Sequence, residues 1–470
     1  MLSDWVKAPI ILIQYCVIAP ALAFLIRGNR TYQRRAFVLL VFMTSWQINK
    51  ITMMLDSIDW YRGATKGFEF GWMDVISIAL LISSAMQRRK PWRFLAPGTL
   101  LYLFYIAMAL LSITKAPEKV YSLMAAWRFS KAVLAYLAAF HFLQDDEDLL
   151  VFLRAISGTL IVQMFVVLKM KYRDHIFQVM GWFEHQNALA MWAYMCGFAL
   201  LAAAIGPAKK SDTRLFLIGY IASGVIVQSA LSRASLVAYS IGTVLIFLLS
   251  LADQVTRKRL VCMLSVATLG IIGVMLALPT LMLRFHEDRN EQSSELRTML
   301  NSAAAEMLHD SPIGMGWNNF VVLANSPYPY GQVIDDWTLS RGMRLDPDEV
   351  HPQPESHYWL LLAENGYPGF CAYLLFIVVT TFWCCRGVWT FRRTPISAFL
   401  IGVSVAMVIT YIHSNAERVL TQTKNLYAWL IFLGIVARIE SQRREMKAAQ
   451  KLAYIPAPVP QPPAELVTSA

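Results

Sequence analysis

The chain is 470 residues long, 57% hydrophobic and only 16% charged, whereas soluble domains carry about a quarter charged residues. With a mean hydropathy of +0.46 and 14 Trp, 19 Tyr and 25 Phe, the composition excludes a disordered chain, a coiled coil, a collagen-like protein and a small disulfide scaffold. A formal net charge of +11 raises nucleic-acid binding, but the placement of the basic residues assigns that charge to membrane topology instead.

A helix crosses a bilayer with about 20 mostly apolar residues. Such runs are predicted over residues 8–26, 36–55, 71–86, 99–113, 120–143 and 149–168. They continue over 187–205, 215–231, 234–251 and 260–283, then 367–384, 395–412 and 426–436. The expectation is an all-α polytopic membrane protein with about 13 transmembrane helices, in a range of about 12 to 14. Lys and Arg accumulate on the cytoplasmic side. Alternate short connections carry Arg27, Arg30, Arg34 and Arg35, then Arg88, Arg89, Lys90 and Arg93, then Lys209, Lys210 and Arg214. The series resumes with Arg257, Lys258 and Arg259, and with Arg386, Arg392 and Arg393. The acidic connection 144–148 departs from the trend without reversing it. This pattern puts the N-terminus in the periplasm and the C-terminus in the cytoplasm of a bacterial inner membrane protein; no nucleic-acid partner is expected.

Ala21-Leu22-Ala23 looks like a signal-peptidase site. However, Asp4 balances Lys7, and cleavage would leave the basic residues 27–35 to be translocated, so an uncleaved anchor is expected. Cys16, Cys196, Cys262, Cys371, Cys384 and Cys385 fall in or at the ends of predicted spans without metal-ligand spacing and read as small hydrophobes. Residues 1–444 are expected to form the transmembrane domain, and 445–470 a Pro- and Ala-rich disordered cytoplasmic tail.

Residues 284–356 are the one long polar connection, a large periplasmic loop by this orientation. Long loops are usually functional or disordered. Within this one, Leu296, Met299, Leu300, Ala303, Ala304, Met307 and Leu308 recur at helical spacing. That amphipathic stripe suits the membrane surface or the helix bundle. A turn, Ser311-Pro312-Ile313-Gly314-Met315-Gly316-Trp317, follows it. Residues 327–354 read as irregular, and Glu355-Ser356-His357-Tyr358 then leads into the next apolar helix.

Ionisable groups at membrane depth are costly, and they are functional or paired. Arg233, in Ser232-Arg233-Ala234-Ser235, reads either as a snorkelling interfacial residue or as a bidentate anion ligand. Arg297 borders the amphipathic stripe as a solvated residue or a second anion ligand. His357 heads an apolar helix as a cap or a general base. Arg128 and Lys131 are three residues apart and share a helix face. They extend a cationic site or pair with carboxylates. Lys50 and Asp74 read as a structural ion pair. His185 and Asn187 open the seventh span, and His413, Glu417 and Arg418 gather at the end of the twelfth. All of the candidate site groups map to the outer side, where several arginines and a histidine would suit a membrane-borne diphosphate. Arginines can neutralise a leaving diphosphate without a metal, so neither metal nor cofactor is expected.

Four segments together resemble the O-antigen ligase and polysaccharide polymerase superfamily of bacterial envelope proteins. They are GWFEHQNALA at 181–190, LSRASL at 231–236, the arginine helix followed by SPIGMGWNNF at 296–320, and ESHYWLLLAENGYPG at 355–369. The resemblance covers residues 128–415. It implies a GT-C-like membrane-embedded, inverting glycosyltransferase that takes a glycan from undecaprenyl diphosphate at the periplasmic face. The acceptor hydroxyl would belong to a lipid core (lipopolysaccharide ligation), a growing glycan (polymerisation) or a protein. It further implies that Arg233 and Arg297 engage the diphosphate and that His357 activates the acceptor, with Arg128 and His413 carried along. Ser356-His357-Tyr358 departs from the family's more usual His-Asn pair. A transporter or flippase is the alternative class, but no internal repeat of the kind transporters show is visible. A non-catalytic assembly factor is the third.

Overall fold

The computed structural model describes residues 3–46, 52–87, 93–285, 289–342 and 350–453. The chain opens with α1, Asp4–Ile26, and α2, Arg30–Met43. The predicted second span does not continue to residue 55. The hydroxyls of Thr44 and Ser45 turn back onto Val41 O (2.7 Å) and Phe42 O (3.1 Å) as the helix ends. Thr52–Leu55 (β1) then pairs antiparallel with Phe68–Gly71 (β2). The apolar run 36–55 gave no sign of that change of period. Lys50 lies outside the described residues.

Helices follow in near-continuous succession: α3 (Trp72–Gln87), α4 (Thr99–Thr114), α5 (Lys119–Phe142), α6 (Asp146–Arg173), α7 (Gln186–Ile205) and α8 (Lys210–Ala230). Next come α9 (Arg233–Asp253), α10 (Arg257–Phe285) and α11 (Arg289–Asp310). After a short α12 (Gln332–Ser340), the chain forms α13 (His357–Thr390), α14 (Pro395–His413) and α15 (Thr423–Ala453). Among the described residues, eight helices are long and apolar enough to cross a membrane, and Trp72–Gln87 and Thr99–Thr114 are shorter apolar helices. Two expectations change. Residues 332–340 are helical rather than irregular. Residues 445–453 continue α15, and the rest of the Pro-rich tail, 454–470, lies outside the described residues.

The centre of the bundle is α7, whose most apolar stretch is entirely buried. It packs against α8, α9 and α14. Small residues allow this: a Cβ at Gly402 of α14 would lie 2.5 Å from Phe198 O and 2.7 Å from Ala199 Cα of α7.

Because consecutive helices alternate in direction, their connections sort to two ends. At one end, Arg34 holds Asp148 (2.9 Å) beside Arg30, Arg154 holds Asp212 (2.9 Å), and Arg259 holds Asp253 (2.8 Å). We call this the basic end. The β-hairpin, residues 174–185, residues 289–342 and 350–356, and the turn 414–422 gather at the other.

Candidate functional site

The platform for the site is an interlock between two glycine-bearing turns. Inside α13, Gly366 takes φ 62° and ψ −170°, which breaks the helix just before Pro368. The carbonyls released there are not left bare. Ala363 O accepts from Met315 N (2.9 Å), Glu364 O from Gly316 N (3.0 Å), and Pro312 O accepts from Tyr367 N (2.9 Å). Gly314 has φ +89°, and a Cβ there would lie 2.4 Å from Glu364 O. The glycines of SPIGMG and ENGYPG are therefore needed for backbone approach. The same turn is tied to neighbours: Tyr61 donates to Asn318 O, and Asn319 Oδ1 accepts from Glu118 N (2.9 Å).

The amphipathic helix α11 lies on this platform rather than facing a membrane surface. Leu300, Ala303, Ala304 and Met307 pack with Phe320, Tyr330, Ile334, Leu360 and Ala363. That docking aims Arg297 at the start of α13. Its guanidinium pairs with Glu355 and lies 3.6 Å from Glu417 Oε1. Glu355 stands two residues before His357 in the chain.

His357 is the first residue of α13, with Ser356 as N-cap. Its backbone N–H donates to Ser414 O (2.9 Å), joining α13 to the 414–422 turn. The imidazole is 1% exposed, and neither ring nitrogen has a hydrogen-bond partner in the protein. Tyr373 approaches it edge-on at 5.3 Å. Buried polar atoms are rarely left without partners, so an unengaged imidazole of this kind is suited to a substrate hydroxyl.

Glu417 sits between Arg297 and Asn187, whose side-chain amide donates to it. Burial, and then the nearby Glu355, push its carboxyl up to about 7 against the pull of Asn187, Arg297 and Arg418. Arg418 is half-buried, its charge disfavoured by burial but supported by Glu355, Glu417 and Glu364. His185 caps α7 by accepting from Asn187 N (3.3 Å). Its pKa is held below the usual value by burial and by Arg418 and Arg297. Arg297, Arg418, His185 and Asn187 thus come together around Glu355 and Glu417, and His357 joins the same turn through its backbone N–H, so the cluster is charge-balanced rather than simply cationic. The sequence reading gave Glu355 and Glu364 no role. Their flanking of His357 at two residues before and seven after was the available signal.

The remaining candidates separate. Arg128 donates to Ala64 O (2.7 Å) and lies 3.8 Å from Glu69, and Lys131 is bound to Asp74 (2.9 Å). Both are engaged as buried ion pairs, the alternative to extending a cationic site. Asp74 takes Lys131; the expected partner Lys50 lies outside the described residues. His413 shares its Nδ1 with the Tyr194 hydroxyl (2.9 Å) at the end of α14. Arg233 is half-buried at the first position of α9. Its placement follows from LSRASL: Leu231 adopts φ 52° and ends α8, and Ser232 caps α9 by accepting from Ser235 N. Because α9 packs on α7 and α14, Arg233 lies at the same end of the bundle as His185 and His413.

Fold and site together define a multi-pass helical membrane protein with a buried polar cluster at one end of the bundle. Residues 218–374 match the family model described as O-antigen ligase. Over that segment the chain is similar to the O-antigen ligase and polymerase superfamily, which supports the resemblance seen in the sequence. The matched segment contains Arg233, Arg297 and His357, and ends before His413 and Arg418. No curated protein matches the chain.

Proposed function

We propose that the protein is an O-antigen ligase-like glycosyltransferase moving a glycan from undecaprenyl diphosphate to an acceptor hydroxyl. The gathering of basic connections at the opposite end supports a periplasmic site by the positive-inside rule. One observation carries the reading: an imidazole with both nitrogens unengaged opens the helix whose preceding segment, at Glu355, binds an arginine presented by an amphipathic helix.

In the reaction, His357 accepts the proton of the acceptor hydroxyl as its oxygen attacks the anomeric carbon. The bond from that carbon to the diphosphate breaks, and its electron pair leaves on the diphosphate. Attack opposite the leaving group inverts the anomeric centre. Arg297 and Arg233 stabilise the growing charge, and the N-termini of α7, α9 and α13 add positive partial charge at the same end. Arg297 must exchange its carboxylate partners for phosphate oxygens, and a Glu417 that protonates near neutral pH lowers the resistance to that exchange. Acceptor choice is assigned to residues 321–354. Lipid core, growing glycan and protein acceptors all fit this chemistry.

A transporter would use the open backbone of a broken helix as its binding site. The break at Gly366 is instead filled by Met315 and Gly316 N–H groups, which favours the enzyme.

The test is transfer from a synthetic undecaprenyl-diphosphate oligosaccharide to candidate acceptors by the purified protein. His357→Ala is expected to lower turnover by about 10²–10⁴-fold, and Arg297→Ala or Arg233→Ala by about 10²–10³-fold. Full activity in all three correctly inserted variants would overturn the assignment.

A further inference from the structure

Far from this site, α2 and α6 run side by side from the basic end and enclose a groove of about 640 Å³. One wall is Arg35, Val38, Leu39 and Phe42, at i, i+3, i+4 and i+7 of α2. The other is a single face of α6, with Arg154, Gly158 and Val162 along it. Gly158 leaves the middle open, since a Cβ there would meet nothing within 4 Å. Thr159 does not make the floor polar, because its hydroxyl is turned onto Ala155 O (2.7 Å).

Length and charge together define an occupant. From Val151 to Val162 the groove wall spans 11 residue steps, or about 16 Å at 1.5 Å per residue. That is close to the roughly 15 Å depth of one leaflet in a bilayer whose hydrocarbon core is about 30 Å thick. Both arginines stand toward the basic end, where the lipid headgroups of that leaflet would lie. They differ in charge balance. Arg154 is locked on Asp212 (2.9 Å) and Glu147 (2.8 Å). Arg35 is exposed, rests over the Tyr32 ring at 5.7 Å, and has no carboxylate partner among the described residues. The groove therefore has one uncompensated positive charge at its mouth and an apolar channel one leaflet deep behind it.

We propose that this groove is a binding site for one anionic phospholipid, its phosphate on Arg35 and an acyl chain along Gly158 toward Phe42 and Val162. The site is independent of the proposed transferase reaction. An apolar helix of a second copy would fit the walls but leave the charge of Arg35 unanswered.

The experiment is native mass spectrometry of the full chain in detergent, titrated with phosphatidylglycerol or phosphatidylcholine. One phosphatidylglycerol should be retained in preference to phosphatidylcholine. Arg35→Ala should weaken that retention about fivefold, the contribution of one basic residue beside anionic lipid. Gly158→Phe, which fills the channel and leaves Arg35 in place, should abolish it. Equal retention of the two lipids, or phosphatidylglycerol retention unchanged by Arg35→Ala, overturns the proposal. So does a dimer cross-linked through cysteines introduced at Leu39. If Gly158→Phe does not yield monodisperse protein, the lipid comparison and Arg35→Ala decide the matter alone.

Discussion

The Asp74 and Arg297 clusters are both built on ion pairs, the first buried and the second partly open to solvent, and they are completed differently. Asp74 receives Lys131 (2.9 Å), the Tyr15 hydroxyl (2.7 Å), the Tyr427 hydroxyl and Gly71 N (3.1 Å), so four elements close on one carboxylate. In the Arg297 cluster, Arg297 Nε, Arg418 Nη1 and both nitrogens of His357 have no protein partner. A saturated buried cluster joins helices. An unsaturated one retains hydrogen-bonding capacity for a ligand, at a cost in stability that only function explains.

The largest expected effect tests the closed cluster. Lys131→Ala leaves Asp74 buried without its cation and should cost about 3–5 kcal/mol, seen as a lower melting temperature in detergent. Arg297→Ala removes a side chain that is 39% exposed and should leave the melting temperature nearly unchanged while activity falls. Equal destabilisation by both would erase the distinction.

A smaller effect tests the platform. Gly314→Ala imposes a left-handed conformation on a residue with a Cβ and drives that carbon toward Glu364 O. The expected loss is about 1–3 kcal/mol, again read from thermal melting. No loss would mean that the interlock does not hold the site in place.

The subtlest effect is in pH. The carboxyl of Glu417 titrates near 7 instead of its ordinary 4.5. Since the folded state holds that proton more tightly, Glu417 favours folding at low pH, and this contribution is lost as pH rises through about 7. Above 7 it is charged and holds Arg297; below 7 it releases it. Binding of a non-transferable undecaprenyl-diphosphate analogue should therefore strengthen a few-fold (~2–5, on the scale of surface pairing) from pH 8 to pH 6. Burial and the charges of Arg418 and Arg297 hold the His185 pKa below its ordinary value. Glu417→Gln should flatten the profile. A profile unchanged in that variant would assign the dependence to another group.

Much of the site was legible locally. Ser232 before Arg233 and Ser356 before His357 are helix N-caps, and a cap fixes where a helix begins. The stripe on α11 was visible from its period, although period cannot say whether it meets lipid or protein. The cations of α5 were placed on one face, but their partners Glu69 and Asp74 come from segments more than 50 residues earlier in the chain. No local rule reaches that far. The β-hairpin was missed because an apolar run has the same composition in a strand as in a helix.

By itself, the sequence determined that this is a helical membrane protein, which ends of its helices carry charge, and which turns require glycine. Those properties follow from transfer free energy and backbone sterics, which act residue by residue. Only the tertiary structure decided which arginines were neutralised and which histidine stayed unengaged. Pairing depends on the position of the partner in space, and chain folding brings Glu417 to Arg297 and Asp74 to Lys131 across long stretches of sequence.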